Sequence, residues 1–295
     1  MTRTSRRLAA LSGLVIGATA LVGCAPTAFP PAPTTPEETT MSDDQTPAEI
    51  VTAATTAVFG DRDLSAIDDY FGPTYTQHST LATDGVEGLR ALAGSLGDDF
   101  RYEPARLIAD GDLVMTQGTY FGFGPDPLTG YDVWRVEDGK IVEHWDSLTP
   151  VVTETVSGRS QTDGPTEVTD LDKTTQNKEL VTAFAEKVLV GADYSLLTDY
   201  ISTEQYDQHN PEAADGLAGF GAAVEKWAAD GKNLAYKQVH QVIAQGNFVF
   251  TRSEGDFGVP SIYNDLWRVQ DGKIVEHWDV VIPVPADLPH SNGVF

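Results

Sequence analysis

One set of landmarks occurs twice along this chain, and that duplication limits its fold more than any other feature. Tyr75, Gln77 and His78 return as Tyr206, Gln208 and His209, and Asp84-Gly85 returns as Asp215-Gly216. The stretch from Asp132 to Asp146 returns almost unchanged from Asp265 to Asp279. The offset is 131 at the first landmark and 133 at the last, a drift that marks two copies of one module with small loop changes. The expected organisation is a module over 46–152, a linker over 153–172, a second module over 173–285 and a tail over 286–295.

The segment ahead of the repeat reads differently. Arg3, Arg6 and Arg7 precede an apolar run, Leu8 to Ala20, that is short for a membrane-spanning helix. It closes on Leu21-Val22-Gly23-Cys24, which resembles a bacterial lipobox, and Cys24 is the only cysteine. The expectation is a signal peptide over 1–23, lipidation at Cys24 and a Pro/Thr/Ala-rich tether over 24–45. The protein would then be lipid-anchored on the extracytoplasmic side of a bacterial cell membrane, without disulfides or thiolate metal sites. Losing three signal arginines takes the formal charge from −25 to −28. Such an acidic chain repels nucleic acid, and its charge reads as solubility.

Within each module, helices come first and strands follow, which predicts α+β. Thr46, Pro47 and Glu49 form an N-cap, a first-turn proline and a capping box. Ile50, Ala54, Ala57 and Val58 then give an amphipathic helix, and Val181, Phe184 and Val188 repeat its spacing. A third helix carries the stripe Val86, Leu89, Ala93 and Leu96, matched at an offset of 131 by Leu217, Phe220, Val224 and Trp227. Strand-like runs lead to a hairpin turning at Asp138-Gly139 or Asp271-Gly272, a dipeptide that favours the two-residue type I′ turn.

Regular alternation from that turn pairs Val136 with Ile141, Trp134 with Glu143 and Asp132 with Trp145. It predicts that Asp132, Trp134, Glu143 and Trp145 share one face, as do Asp265, Trp267, Glu276 and Trp278. The face with both tryptophans is the expected inner wall. There Asp132 and Asp265, desolvated by indoles, would suit acid–base work or hydrogen-bond donation; a buried Asp tying down its neighbours is the bland alternative. The same alternation places His144 and His277 on the outer face, in packing between modules.

These residues resemble the SnoaL-like proteins of the nuclear transport factor 2-like superfamily, once per module. The resemblance implies a curved antiparallel sheet wrapped into a cone and closed by about three helices around a pocket. It implies a catalytic role for Asp132 and Asp265, since SnoaL-type cyclases carry an Asp at that position. It also places His78, His209, Gln77, Gln208 and Asn210 at the pocket. The histidines there are candidate bases or structural groups, and the amides are candidate binders of a carbonyl or hydroxyl. Trp134, Trp267, Trp145, Trp278, Glu143 and Glu276 complete the expected ligand-binding set. The family's better-equipped cyclases carry a central-strand His near the positions of Gln117 and Arg252, and this chain lacks it at both.

Three functions fit: an acid–base enzyme of aldol-condensation, isomerase or cyclase type acting on a small apolar carbonyl compound, a non-catalytic binder of a small hydrophobic ligand, or a protein-interaction module. No cofactor is expected, and no spacing matches a metal motif. Cones of this kind usually pair, so the tandem is expected to form an internal pseudo-dimer.

Overall fold

The computed structural model describes residues 45–295, so Cys24, the signal segment and nearly all of the tether lie outside it. Among the described residues no helix is long and apolar enough to cross a membrane.

The first module runs α1 (Pro47–Thr55), α2 (Ala66–Tyr70), β1 (Phe71–Gln77), α3 (Gly85–Ser95), β2 (Arg101–Asp110), β3 (Leu113–Phe121), β4 (Leu128–Glu137) and β5 (Lys140–Pro150). The second repeats it as α4 (Thr174–Phe184), α5 (Leu197–Tyr200), β6 (Asp207–Gln208), α6 (Gly216–Ala229), β7 (Leu234–Gln245), β8 (Phe248–Phe257), β9 (Pro260–Gln270) and β10 (Lys273–Pro283). Each module is a five-stranded sheet, ordered β1-β5-β4-β3-β2 or β6-β10-β9-β8-β7. The sheets are mixed, because β1 lies parallel to β5 and β6 parallel to β10. The architecture is α+β, two cone-shaped modules in tandem.

Helix α1 starts where its cap residues require: Thr46 accepts from the Glu49 N–H, and the Glu49 carboxylate accepts from the Thr46 N–H at 2.8 Å. Its buried residues Val51 and Ala54, with Val58 of the helical turn Thr56–Gly60 that continues it, close the concave face of the first sheet together with Leu89 and Ala93 of α3. Val181, Phe184 and Val188 do the same in the second module. The convex faces pack on each other, with Met115, Tyr131, Val133 and Trp145 against Phe248, Phe250, Leu266 and Trp278.

The predicted turns form, with φ positive at Asp138, Gly139, Asp271 and Gly272. The regular register beyond them does not. Val136 pairs with Ile141, but Arg135 pairs with Glu143, leaving Val142 as the extra residue of a β-bulge. Val275 is the extra residue in the second copy. A one-residue slip turns every later side chain to the opposite face. Trp134 therefore pairs with His144 and Asp132 with Asp146, while Trp145 pairs with Val133.

Candidate active site

The bulge reverses the expected assignment of β5 and β10. His144 and Asp146 point into the first cone with Asp132 and Trp134, and a cavity of about 50 Å³ lies against all four. Trp145 and Glu143 point outward instead, as do Trp278 and Glu276. His78 and His209 are corrected in the same way. His78 stacks on Trp145 at 4.8 Å and meets Glu143 at 2.9 Å. His209 stacks on Trp278 at 4.5 Å and meets Glu276 at 2.9 Å. All six groups belong to the convex side, away from the pocket. Arg135 and Arg268 complete these clusters, each 2.6–2.7 Å from the neighbouring glutamate. In the second module the His209 and Arg268 partners outweigh burial and hold Glu276 below the ordinary carboxylate range. Gln117 and Arg252 also face outward, so the cone wall at that strand is lined by Thr116 and Thr251.

The imidazole of His144 lies over Trp134 at 3.9 Å, and that of His277 over Trp267 at 4.0 Å. Gln77, at the end of edge strand β1, sets the proton on His144. Its Oε1 accepts from the Ser79 N–H at 2.9 Å, so it is the oxygen that faces His144 Nδ1, also at 2.9 Å. An amide oxygen can only accept, hence Nδ1 carries a hydrogen. Nε2 then faces Asp132 Oδ1 at 3.1 Å, with one proton to share between imidazole and carboxyl. Tyr75 fixes the far side of Gln77 by accepting from its Nε2 at 3.0 Å. The second cone repeats this. Gln208 Oε1 takes the Asn210 N–H, faces His277 Nδ1 at 3.0 Å, and His277 Nε2 faces Asp265 Oδ1 at 3.1 Å. Thus Gln77 and Gln208 act on the histidine, and Asn210 holds Asp279 through a 2.8 Å bond where Ser79 holds Asp146.

Asp146 faces Asp132 directly across the strands, 8% exposed. Burial pushes its carboxyl above the ordinary range, and the Asp132 charge adds to this while His144 opposes it. Tyr120 donates to Asp132 Oδ2, and Thr116 reaches the same oxygen at 3.5 Å. Burial and the nearby Asp132 push the Tyr120 and Tyr102 phenols up, so both stay protonated as donors. Asp146, Tyr102, Tyr120 and Thr116 were not singled out from sequence. The residue after Trp145 held a signal for Asp146, but only a register that includes the bulge exposes it. One imidazole nitrogen and two carboxylates approach closely in each cone, as Asp132, His144 and Asp146 and as Asp265, His277 and Asp279. A divalent cation accepts such donors, but the Nε2–Asp132 hydrogen bond competes for the same lone pair.

The two cones differ in their donors. Trp134 is 3% exposed and its Nε1–H has no partner, and the Tyr102 hydroxyl, near Thr116 and Tyr120, reaches none within hydrogen-bonding distance. Their counterparts are satisfied internally: Trp267 donates to Thr251 Oγ1 at 3.2 Å and Tyr236 to Asp265 at 3.0 Å. A groove of about 580 Å³ runs between the second module and the segment after β5, with Val152, Val156, Asn210, Trp227, Phe257 and Asp279 among its walls.

Fold and site together define a class, an α+β cone with a hydrogen-bonded Asp–His pair on its inner wall. More particularly, residues 51–144 match the SnoaL-like domain family. Among solved structures the chain is similar to a loop-truncated variant of IdmH, a protein of Streptomyces antibioticus, at 24% identity over 35% of this chain and 92% of that one, TM-score 0.32. It is similar to TsrD from Streptomyces laurentii at 21% identity over 36% and 90%, TM-score 0.31. A candidate polyketide cyclase from Acidithiobacillus ferrooxidans gives 22% identity over 37% and 91%, TM-score 0.31. No curated protein matches the sequence.

Proposed function

We propose that the first cone binds a small, mostly apolar carbonyl compound and acts on it by acid–base chemistry of the aldol-condensation, isomerase or cyclase type. The observation that carries this reading is the Asp132–His144 pair on the wall of an aromatic cavity beside an unpartnered indole N–H. A carbon next to a carbonyl would give its proton to the Asp132 carboxylate. The electron pair would move onto the carbonyl oxygen, where Trp134 Nε1–H or Tyr102 O–H could receive it. Return of the proton from Asp132 to another carbon completes an isomerisation; attack of the enolate carbon on a second carbonyl, whose oxygen then takes the proton back from Asp132, completes a ring closure. His144, with Nδ1–H held on Gln77, stabilises the Asp132 charge before transfer.

A second reading, ligand holding without turnover, is favoured by one observation. Both Asp132 oxygens are already occupied, by His144 on one side and by Tyr120 and Thr116 on the other. Mass spectrometry of small molecules co-purifying with the protein and with Asp132→Asn separates the two. Ligand kept by both proteins, in unchanged chemical form, supports holding. Product released by the parent and substrate retained by the variant supports turnover. No ligand in either removes the pocket reading.

The packed convex faces support a further part of this proposal, that the tandem serves as an internal pseudo-dimer. The lipobox supports anchoring at an extracytoplasmic membrane surface, which Cys24→Ser should abolish in membrane fractionation; a variant that stays membrane-bound contradicts it.

A further inference from the structure

We propose that residues 286–295, which follow the second sheet, position the acid–base pair of the first cone, so that the first site is incomplete without the second module. The functional consequence rests on the reading of the first cone as a working site; the positioning itself does not. His144 is oriented by Gln77, and Gln77 ends an edge strand paired only with β5. The first module holds the N–H groups here, Gln77 on Asp84 at 2.9 Å and His78 on the His144 carbonyl at 2.9 Å, so it is the carbonyls of Gln77 and Ser79 that look for partners elsewhere.

Those partners come from the following module. Asn292 Nδ2 donates to the Gln77 carbonyl at 3.0 Å, and His290 Nε2 donates to the Ser79 carbonyl at 2.8 Å. Between them, His78 Nδ1 donates to the Gly293 carbonyl at 3.0 Å. Ser79 passes the constraint inward, through its N–H to Gln77 Oε1 and its hydroxyl to Asp146 at 2.8 Å. The segment thus grips both residues that hold His144 and Asp146, and forms no hydrogen bond to either of those two side chains itself.

Its own anchor belongs to the second sheet. Arg252, 1% exposed, donates to the Val294 carbonyl at 3.0 Å and to Ser147 Oγ at 3.1 Å. Phe295 stacks on His240 at 4.3 Å. The pattern recurs with the modules exchanged. The segment after β5 crosses to the second module, where the Ser160 carbonyl accepts from His209 Nδ1 at 2.7 Å. There Arg159 binds Asp207 and Asp215. Ser160 and Gly293 are separated by the same 133 residues as the hairpins, although Arg159 stands where the later segment has Asn292. Equivalent positions reaching across with different side chains point to a shared positional requirement.

The test uses the full chain labelled with ¹⁵N-histidine, reading exchange of the imidazole N–H protons with solvent. It needs no ligand, so a failed search for ligand or turnover leaves it intact. Deleting 286–295 should speed exchange at His144 Nδ1–H about tenfold or more, since local opening then meets fewer hydrogen bonds. His277 should keep its wild-type rate. The paired variant His290→Ala, Asn292→Ala should show the same selectivity, and it decides the matter if deletion disturbs both histidines. Unchanged exchange at His144 in the paired variant, or equal acceleration at both histidines there, overturns the proposal.

Discussion

The two cones carry the same Asp, His, Gln and second Asp in the same hydrogen-bonded order, yet they spend their tyrosines differently. Along β3 the first cone has Tyr120 where the second has Gly255; along β4 it has Gly130 where the second has Tyr263. A Cβ at Gly255 would lie 2.5 Å from the Tyr263 ring, so glycine there makes room for that ring. Tyr263 then stacks on Tyr236 at 4.1 Å, and Tyr236 reaches Asp265. Helix α4 brings Phe184 onto Trp267 at 5.2 Å, where α1 has Ala54. The second interior is closed by its own side chains, with Asp265 fully buried and Trp267 satisfied by Thr251. One orphan remains there too, Gln208 Nε2 beside Tyr206. The lesson is that retention of an Asp–His pair does not by itself retain a pocket; the surrounding aromatics decide whether a ligand could reach it.

The largest expected effect breaks the comparison outright. Asp132→Asn should lower any turnover by about 10²–10⁴-fold, while Asp265→Asn changes it less than about twofold; equal losses in steady-state assays would mean both cones work. Tyr263→Ala should open the second cone at a cost of about 3–5 kcal/mol in denaturant unfolding, and a near-neutral result would show that the ring does not close it. The tryptophans sharpen the contrast. Trp267→Phe removes a satisfied hydrogen bond and should cost about 0.5–1.5 kcal/mol, whereas Trp134→Phe removes an unpartnered donor and should cost less.

The smallest effect is a pH dependence. Burial raises the Asp146 carboxyl from its ordinary value of 3.8. A raised carboxyl favours the folded state while protonated and costs stability as pH climbs through its folded value. Asp146→Asn should therefore match the parent near pH 3 and melt at a higher temperature at neutral pH. Asp279, also raised by burial but less buried in the cone, should show the same sign with a smaller gap. A variant advantage that grows toward acid would reverse this account.

Duplication, the helix stripes, the capping box and the Asp-Gly turns were legible because each is a local pattern with a local cause. The site was legible in half. Asp132 and Trp134 precede the turn on β4 and keep their predicted face, but His144, Asp146 and Trp145 follow a bulge that no residue type announces. Val142 looks like any strand valine, and its one extra position exchanged a catalytic candidate for a packing one. His78 was displaced for a related reason. Its face depends on pairing with β5, a strand more than sixty residues away, and so on the register that the bulge changes. His290 showed no role in sequence because its partner, the Ser79 carbonyl, lies 211 residues away.

The central claim, one receptive cone and one closed one, is tested most directly by the indole N–H spectrum. The chain has five tryptophans, and ¹⁵N labelling reports each Nε1–H separately. Titration with a small aromatic ketone such as acetophenone should shift the Trp134 signal in a saturable way, in the parent and in Asp132→Asn alike, and leave Trp267 in place. Equal movement of Trp134 and Trp267, or movement of Trp267 alone, would contradict the account.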